Sequence, residues 1–258
     1  MQKMNAQMLT GSELRTKLLY LLQAGPQPVA VLSKQADIPA PHVIRALKPL
    51  IDDESVIRTS SGYMLTNTGR IQAMMLRRME DGLKALEEQR TFWIRHDLDG
   101  IPQSLQLRMD QLVGGKCFCG GVDDPLQSQT AFIGAVRGAK QAWGVSPLTA
   151  PGYEEMILAL LERGADVRMI LAKSVIGKLN QDAVKAALAY ENFKLFALPV
   201  VPKIGFTVTE RLVTIALFGL NGLYDPQQDL VVQSSAAVEW GRELFDYYLR
   251  QALPVKGN

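Results

Sequence analysis

Asp37-Ile-Pro-Ala-Pro41, a helical pattern through Val43, Ile44, Leu47, Leu50 and Ile51, and then Val56-Ile-Arg-Thr59, Ser60-Ser-Gly62 and Tyr63-Met-Leu-Thr66 form the stretch around which the chain organises. Proline is tolerated at a helix opening, where the first amides have no intrahelical partner. The two short β-prone runs flank a glycine able to supply the positive φ of a tight hairpin. Upstream, Thr10-Gly-Ser-Glu13 has a capping-box pattern and opens a helix that buries Leu14, Leu18, Leu21 and Leu22. Gly25-Pro-Gln-Pro28 stops it, and a second helix from Val29 to about Gln35 turns Val31 and Leu32 inward. Three helices and a hairpin over residues 1–66 predict a winged helix-turn-helix domain.

From Asn67 to about His96 the pattern is one long helix with Ile71, Met75, Met79, Leu83, Leu86 and Trp93 on a stripe. Thirty helical residues would reach about 45 Å, too long for the small head to cover. The spacing therefore predicts a linker and dimerisation helix over 67–96, its stripe meeting a second copy or the C-terminal body. Residues 97–258 alternate the two periodicities. Helices are expected over 102–112, from the Asp124-Pro-Leu-Gln127 cap toward Arg137, and over 153–162, 180–190 and 236–251. Strands are expected at 116–120, 142–145, 166–171, 194–197, 205–209, 212–218 and 230–232. Such alternation gives an α/β fold with a mixed sheet flanked by helices.

Composition narrows the function. The 258 residues are 47% hydrophobic and 21% charged, which excludes a mostly disordered chain. No apolar run approaches the length of about 18 residues that a membrane span needs, and the N-terminus lacks a signal-like apolar core, so a soluble cytoplasmic protein with no membrane partner is expected. Two cysteines make neither a disulfide framework nor a four-ligand zinc site, and no metal or cofactor motif is present. Residues 1–70 carry eight Lys/Arg against five acids, net +3, while the remaining 20 basic and 21 acidic residues give −1. A basic head on a neutral body suits a polyanionic partner.

Trp93-Ile-Arg-His-Asp-Leu-Asp-Gly-Ile-Pro102 behind such a head resembles archaeal regulators that carry the methanogenesis-regulatory (filament-regulator) middle domain. Gly144-Val-Ser-Pro147, Glu162-Arg-Gly-Ala-Asp-Val-Arg168, Gly222-Leu-Tyr-Asp225, Asp229-Leu-Val-Val232 and Trp240-Gly-Arg-Glu-Leu-Phe245 extend the resemblance over nearly the whole chain. The resemblance implies a dimeric DNA-binding transcription regulator. It also implies a C-terminal half similar to the effector domain of TrmB-type regulators, a fold related to phospholipase D. Enzymes of the phospholipase D type use a His-x-Lys pair with the histidine as nucleophile. The corresponding region reads Val201-Pro-Lys-Ile204, and the chain's two histidines, His42 and His96, both precede the α/β body. A phosphodiesterase is therefore the unlikely alternative, and no enzyme is expected.

In a helix-turn-helix the third helix enters the major groove and the wing touches the backbone. With Val43, Ile44 and Leu47 inward, His42, Arg45, Ala46 and Lys48 face outward. Arg45 is the candidate for guanine readout, because its fork donates two hydrogen bonds, and His42 for a base edge or phosphate. Lys34, Lys48 and Arg58 are candidates for phosphate contacts, with Ser60, Ser61 and Tyr63 at the wing. The plainer alternative for Arg45 and Lys48 is an ordinary solvated helix face.

A small-molecule effector is expected beyond the C-terminal strand ends. Candidates are Trp143, Ser146, Thr149, Lys173, Lys203, Thr207, Tyr224 and Asp225, and the lysines would suit an anionic metabolite. Trp143, Tyr224 and Trp240 read equally as core, and His96 with Asp97 as a hinge and helix cap. Cys117 and Cys119 share one face of a strand. They read as small buried hydrophobes or, alternatively, as the thiol pair of a redox-responsive regulator. Together these features predict a homodimer that binds operator DNA through two winged helices and adjusts its affinity on binding an effector.

Overall fold

A computed structural model describes residues 11–120 and 127–256. Thr10 of the first capping box and Asp124 of the second lie outside the described residues. The chain forms two compact units, Met1–Glu80 and Asp81–Asn258.

In the first unit, α1 (Glu13–Leu21) is capped by Ser12, whose Oγ accepts from the Arg15 amide, and runs into a 3₁₀ turn, Leu22–Ala24. Then come α2 (Val29–Ala36), α3 (Ala40–Asp52), β1 (Val56–Thr59) and β2 (Gly62–Leu65). Leu18, Leu22, Leu32, Val43, Leu47 and Leu50 meet in one core. Leu19 is buried on α1, whereas Leu14 and Leu21 sit half-buried at its margin. Val31 and Ile51 are exposed, contrary to the sequence expectation. Each is next to a core residue in sequence, and a step of about 100° around the helix carries it off the buried face.

The hairpin is tighter than its sequence suggests. Thr59 pairs with Gly62, so the turn is Ser60-Ser61 and the glycine belongs to β2. Gly62 has φ +126°, and a Cβ there would lie 2.3 Å from the Gln27 carbonyl. Gln27 and Tyr63 exchange backbone bonds of 2.9 and 2.8 Å, which seals the hairpin onto the segment before α2. Thr66 falls outside β2. Its Oγ1 accepts from the Gly69 amide and so helps begin the next helix.

That helix, α4 (Asn67–Glu88), crosses the boundary between the units. It stops well short of His96. Gln89 leaves the helical region (φ −121°, ψ 34°), and a short α5 (Arg90–Arg95) follows. Two side chains pin the break: the Glu88 carboxylate accepts from the Gly114 amide at 2.8 Å, and Gln89 Nε2 donates to the Gly115 carbonyl at 2.6 Å. Ile71, Met75, Met79, Leu83 and Leu86 are exposed as one stripe. Trp93 leaves it. Its ring is buried in the second unit and its Nε1 donates to the Ala85 carbonyl.

The second unit continues with β3 (His96–Asp97), α6 (Gln103–Gln106), β4 (Lys116–Cys119), α7 (Gln127–Val136), β5 (Gln141–Ser146), α8 (Tyr153–Glu162) and β6 (Asp166–Ala172). Next are α9 (Lys173–Ile176), α10 (Gln181–Leu188), β7 (Phe193–Leu198), β8 (Ile204–Thr209), β9 (Val213–Gly219), β10 (Gln228–Val232), α11 (Ser235–Leu249) and β11 (Leu253–Pro254). The helix expected over 102–112 is α6 and a separate 3₁₀ turn, Met109–Leu112. Among the described residues these strands form one mixed sheet, ordered β11-β7-β6-β5-β8-β9-β10-β4, with β3 on β9. Pairs β5–β6 and β6–β7 are parallel, as α8 and then α9 with α10 cross over between them; the remaining pairs are antiparallel. Strand alternation sends Val145, Ile170 and Phe206 to the face packed by Trp240 and Phe245 of α11, and Ala142 and Val167 to the face packed by Phe132 of α7 and Leu160 of α8. The fold class is therefore mixed α/β, helices covering both faces of the sheet.

Candidate functional site

The turn between α2 and α3 fixes the outward face of the head. Asp37 adopts the left-handed conformation (φ 59°) at the end of α2, one that Asp tolerates better than most residues. Ser33 Oγ donates to the Ile38 carbonyl at 2.6 Å, and Lys17 Nζ to the Ala36 carbonyl at 2.9 Å. Helix α3 then opens on Ala40-Pro41, with Val43, Leu47 and Leu50 turned to the core. Pro49 removes one amide from its ladder, so the Arg45 carbonyl lacks the usual i+4 donor.

His42, Arg45 and Lys48 are exposed on this helix, as are Lys34 on α2, Arg58 on β1 and the turn residues Ser60 and Ser61. Two expectations are corrected. Ile44 faces outward with 52% of its surface exposed, and Ala46 is the half-buried residue instead, because the core stripe through Val43, Leu47 and Leu50 leaves Ile44 on its far side. Tyr63 is packed against the core rather than free at the hairpin tip. Sequence reasoning thus missed Ile44; its position one step beyond Val43 was the available signal.

The candidates in the second unit do not converge. Trp143 is half-buried beneath the Arg168 guanidinium, 4.1 Å from its ring centre, and its Nε1 donates to Asp166. Lys173 is exposed at the start of α9. Lys203 Nζ pairs with Asp97 and Asp99 at 3.3 and 2.5 Å, so its charge is already matched. Hydrogen bonding from the Asp99 amide, aided by Lys203, holds the Asp97 carboxyl below the ordinary range. Asp225 lies 3.3 Å from His96 Nε2, while His96 Nδ1 donates to the Phe92 carbonyl at 2.6 Å. His96 is therefore the C-cap of α5, its ring bonded back to a last-turn carbonyl, and at the same time the buried first residue of β3.

Two cavities adjoin on the α7/α8 face of the sheet, sharing Ser146, Tyr153, Ile157 and Met169 as lining. The smaller, about 40 Å³, is lined by Thr207, Thr214, Tyr224 and Asp229 among others and has room for a few waters. Burial raises the Asp229 carboxyl to about 6, opposed by the Ser128 hydroxyl, which donates to it at 2.6 Å. Burial likewise raises the Tyr153 phenol to about 12 and pushes Tyr224 upward. A Cβ on Gly205 would lie 2.6 Å from the Tyr224 hydroxyl, so that phenol occupies the space above the β8 backbone. The larger cavity is about 320 Å³ and lies over the face of β6 and β7, beside the end of β5 and beneath α8 and α10, rather than beyond the strand ends. Leu161, Leu171, Val184, Phe193 and Leu195 make it apolar; Ser146, Thr149 and Tyr153 give polar points, and Glu154 and Glu155 add negative charge. Of the predicted effector residues, Ser146 and Thr149 line this cavity, and Ser146, Thr207 and Tyr224 the smaller one. Asp229 and the apolar wall were not anticipated: Ser128 is 101 residues from Asp229, and a half-buried alanine-rich helix looks like ordinary packing.

Comparison with known proteins bears on both units. Over 248 residues the chain is 26% identical to Methanogenesis regulatory protein FilR1 of Methanothrix harundinacea (strain 6Ac), covering 93% of this chain and 56% of that protein. The chain thus spans little more than half the length of that relative. Among solved structures, TrmBL2, described as an archaeal chromatin protein with a novel mode of DNA binding, is similar over 95% of this chain and 94% of its own, at TM-score 0.46 and 15% identity. NucT from Helicobacter pylori is similar over 55% of this chain and 98% of its own, at TM-score 0.45 and 12% identity. Residues 4–84 match the family described as Methanogenesis regulatory protein FilR1, N-terminal domain, and residues 125–251 match its middle domain. With both domains present in order along one chain, the protein belongs to the FilR1 family.

Proposed function

We propose that this protein is a DNA-binding transcription regulator that reads operator DNA with α3 of a winged helix-turn-helix head. The observation that carries the proposal is the outward face of α3, where Arg45 and Lys48 stand exposed beside Ile44, in a chain whose FilR1 relative is a regulatory protein by name. Arg45 supplies bidentate guanine recognition and Ile44 an apolar surface for a thymine methyl. Lys34, Lys48 and Arg58 contact phosphates, and Ser60 and Ser61 approach the backbone from the wing.

The exposed stripe of α4 supports a homodimer, which would present two such heads to a two-fold operator. The larger cavity supports effector binding and changes the expected chemistry. An apolar wall with two carboxylates favours an apolar or weakly polar ligand over the anionic metabolite suggested by Lys173 and Lys203, neither of which lines it. A ligand there acts on DNA affinity to the extent that it prefers one conformation; a tenfold change needs about 1.4 kcal/mol of coupling.

The test is fluorescence anisotropy on DNA upstream of the protein's own gene, at several salt concentrations. Wild type is expected to bind selectively, with Arg45→Ala at least about tenfold weaker and less selective. Lys48→Ala should weaken all sequences alike and reduce the salt slope by about one. Absence of selective binding by wild type, with and without metabolite extract, would overturn the proposal.

A further inference from the structure

We propose that Cys117 and Cys119 form a reversible dithiol switch, closed to an intrachain disulfide by a peroxide-class oxidant, at the clasp that holds the end of α4. Their Sγ atoms lie 3.2 Å apart on the same face of β4, with Cys119 exposed and Cys117 half-buried. Cys117 packs against the hydrophobic core, but both sulfurs also face the Gln228 side-chain oxygen at 3.9 Å, and Cys119 is open to solvent.

Exposure assigns the roles. Burial, with Cys119 beside it, holds the Cys117 thiol up at about 12, so Cys119 is the attacking sulfur and Cys117 resolves. In the first step the Cys119 sulfur bonds to one peroxide oxygen and the O–O bond breaks. The second oxygen leaves as water with the thiol's proton, and Cys119 becomes a sulfenic acid. In the second step the Cys117 sulfur attacks Cys119 Sγ and the S–O bond breaks; the hydroxyl leaves as water with the Cys117 proton. Two thiols lose two electrons together, and one peroxide becomes two waters. A thiol reductant reverses the change by exchange.

The strand cannot stay as it is when the bridge closes. Alternate Cα atoms of an extended strand are about 6.6 Å apart, at the upper limit of about 6.8 Å for disulfides. Closing the bridge therefore draws β4 in between 117 and 119. As a sheet edge, β4 has β10 as its one partner among the described residues, with Cys119 opposite Gln228. Two connections carry the movement onward. Gly114 and Gly115, directly before β4, hold Glu88 and Gln89 where α4 ends. Gln228 Nε2 donates to Asp225 at 3.0 Å, and Asp225 faces His96 just after α5. Closure thus loosens the clasp, and a strained, accessible bridge is one that thiols reopen easily.

Reduced full-length protein should be exposed to hydrogen peroxide and followed by intact mass, free-thiol titration and non-reducing electrophoresis. The expected product has lost two hydrogens and both free thiols, remains a single chain, and is restored by dithiothreitol. Cys117→Ser should stop at a sulfenic acid trapped by dimedone, and Cys119→Ser should react at least about tenfold more slowly, in keeping with the half-buried Cys117 thiol that remains. Oxygen gain without hydrogen loss, or a bridge between chains, would overturn the proposal. Hydrogen exchange tests the clasp: amides of 84–90 and 114–119 should exchange several-fold faster in the oxidised form, and identical protection in both forms would refute the coupling. These readouts do not depend on DNA, so a failure of operator binding would leave the thiol result standing.

Discussion

A missing side chain can be as constraining as a present one. At Gly62 both the backbone angle and the Gln27 carbonyl exclude a Cβ. Gly62→Ala should cost the head about 2 kcal/mol or more, read as a lower midpoint in chemical denaturation. The sequence announced a hairpin glycine; it could not announce the second reason, because Gln27 is brought there only by the folded backbone. Asp229 shows the same limit from the polar side. Its carboxyl, held at about 6 in the fold instead of near 4, favours the protonated form. The folded state then binds more protons than the unfolded one, so the contribution is greatest below pH about 4 and is lost as pH rises through about 6. Asp229→Asn should flatten that decline, which is worth at most about 3 kcal/mol, in melts taken between pH 4 and 7. An unchanged pH profile would show that Asp229 titrates normally.

At the scale of elements, periodicity identified the helices well and their outward faces less well. Along α3, Val43, Leu47 and Leu50 are legible as core, but Ile44 reads as inward too, because hydrophobicity alone does not distinguish a packed residue from an exposed one. The two roles separate by experiment. Leu47→Ala should lower stability by about 2–5 kcal/mol, whereas Ile44→Ala should leave the melt nearly unchanged and weaken binding to a thymine-containing site several-fold. Equal loss of stability in both variants would put Ile44 back in the core. Along α4 the apolar stripe was legible and the break at Gln89 was not. Its cause, the hold of Gly114 and Gly115, comes from more than twenty residues downstream. If the stripe joins two copies, Met79→Glu with Leu83→Glu should shift sedimentation to the monomer; a wild type that sediments as a monomer at tens of micromolar would remove the dimer from the scheme.

Across the molecule, the two units have separate cores, one around Leu18, Val43 and Leu47 and one around Ile215, Trp240 and Phe245. Calorimetry should therefore resolve two transitions, and Gly62→Ala should displace only one of them; a single transition shifted as a whole would show the units unfolding together. The alternation of helix and strand signals sufficed for a mixed sheet. The order of its strands was out of reach, since the pairing of Gln228 with Cys119 depends on the entire intervening chain. The far side of that sheet ends in Leu253-Pro254. Proline has no amide to offer an incoming strand, so this border cannot extend the hydrogen-bond ladder regularly. Fibrous growth by edge pairing needs two open borders on every subunit. Among the described residues the β11 border is interrupted at Pro254, so sheets that meet through β4 find no equally regular second border from which to continue a chain.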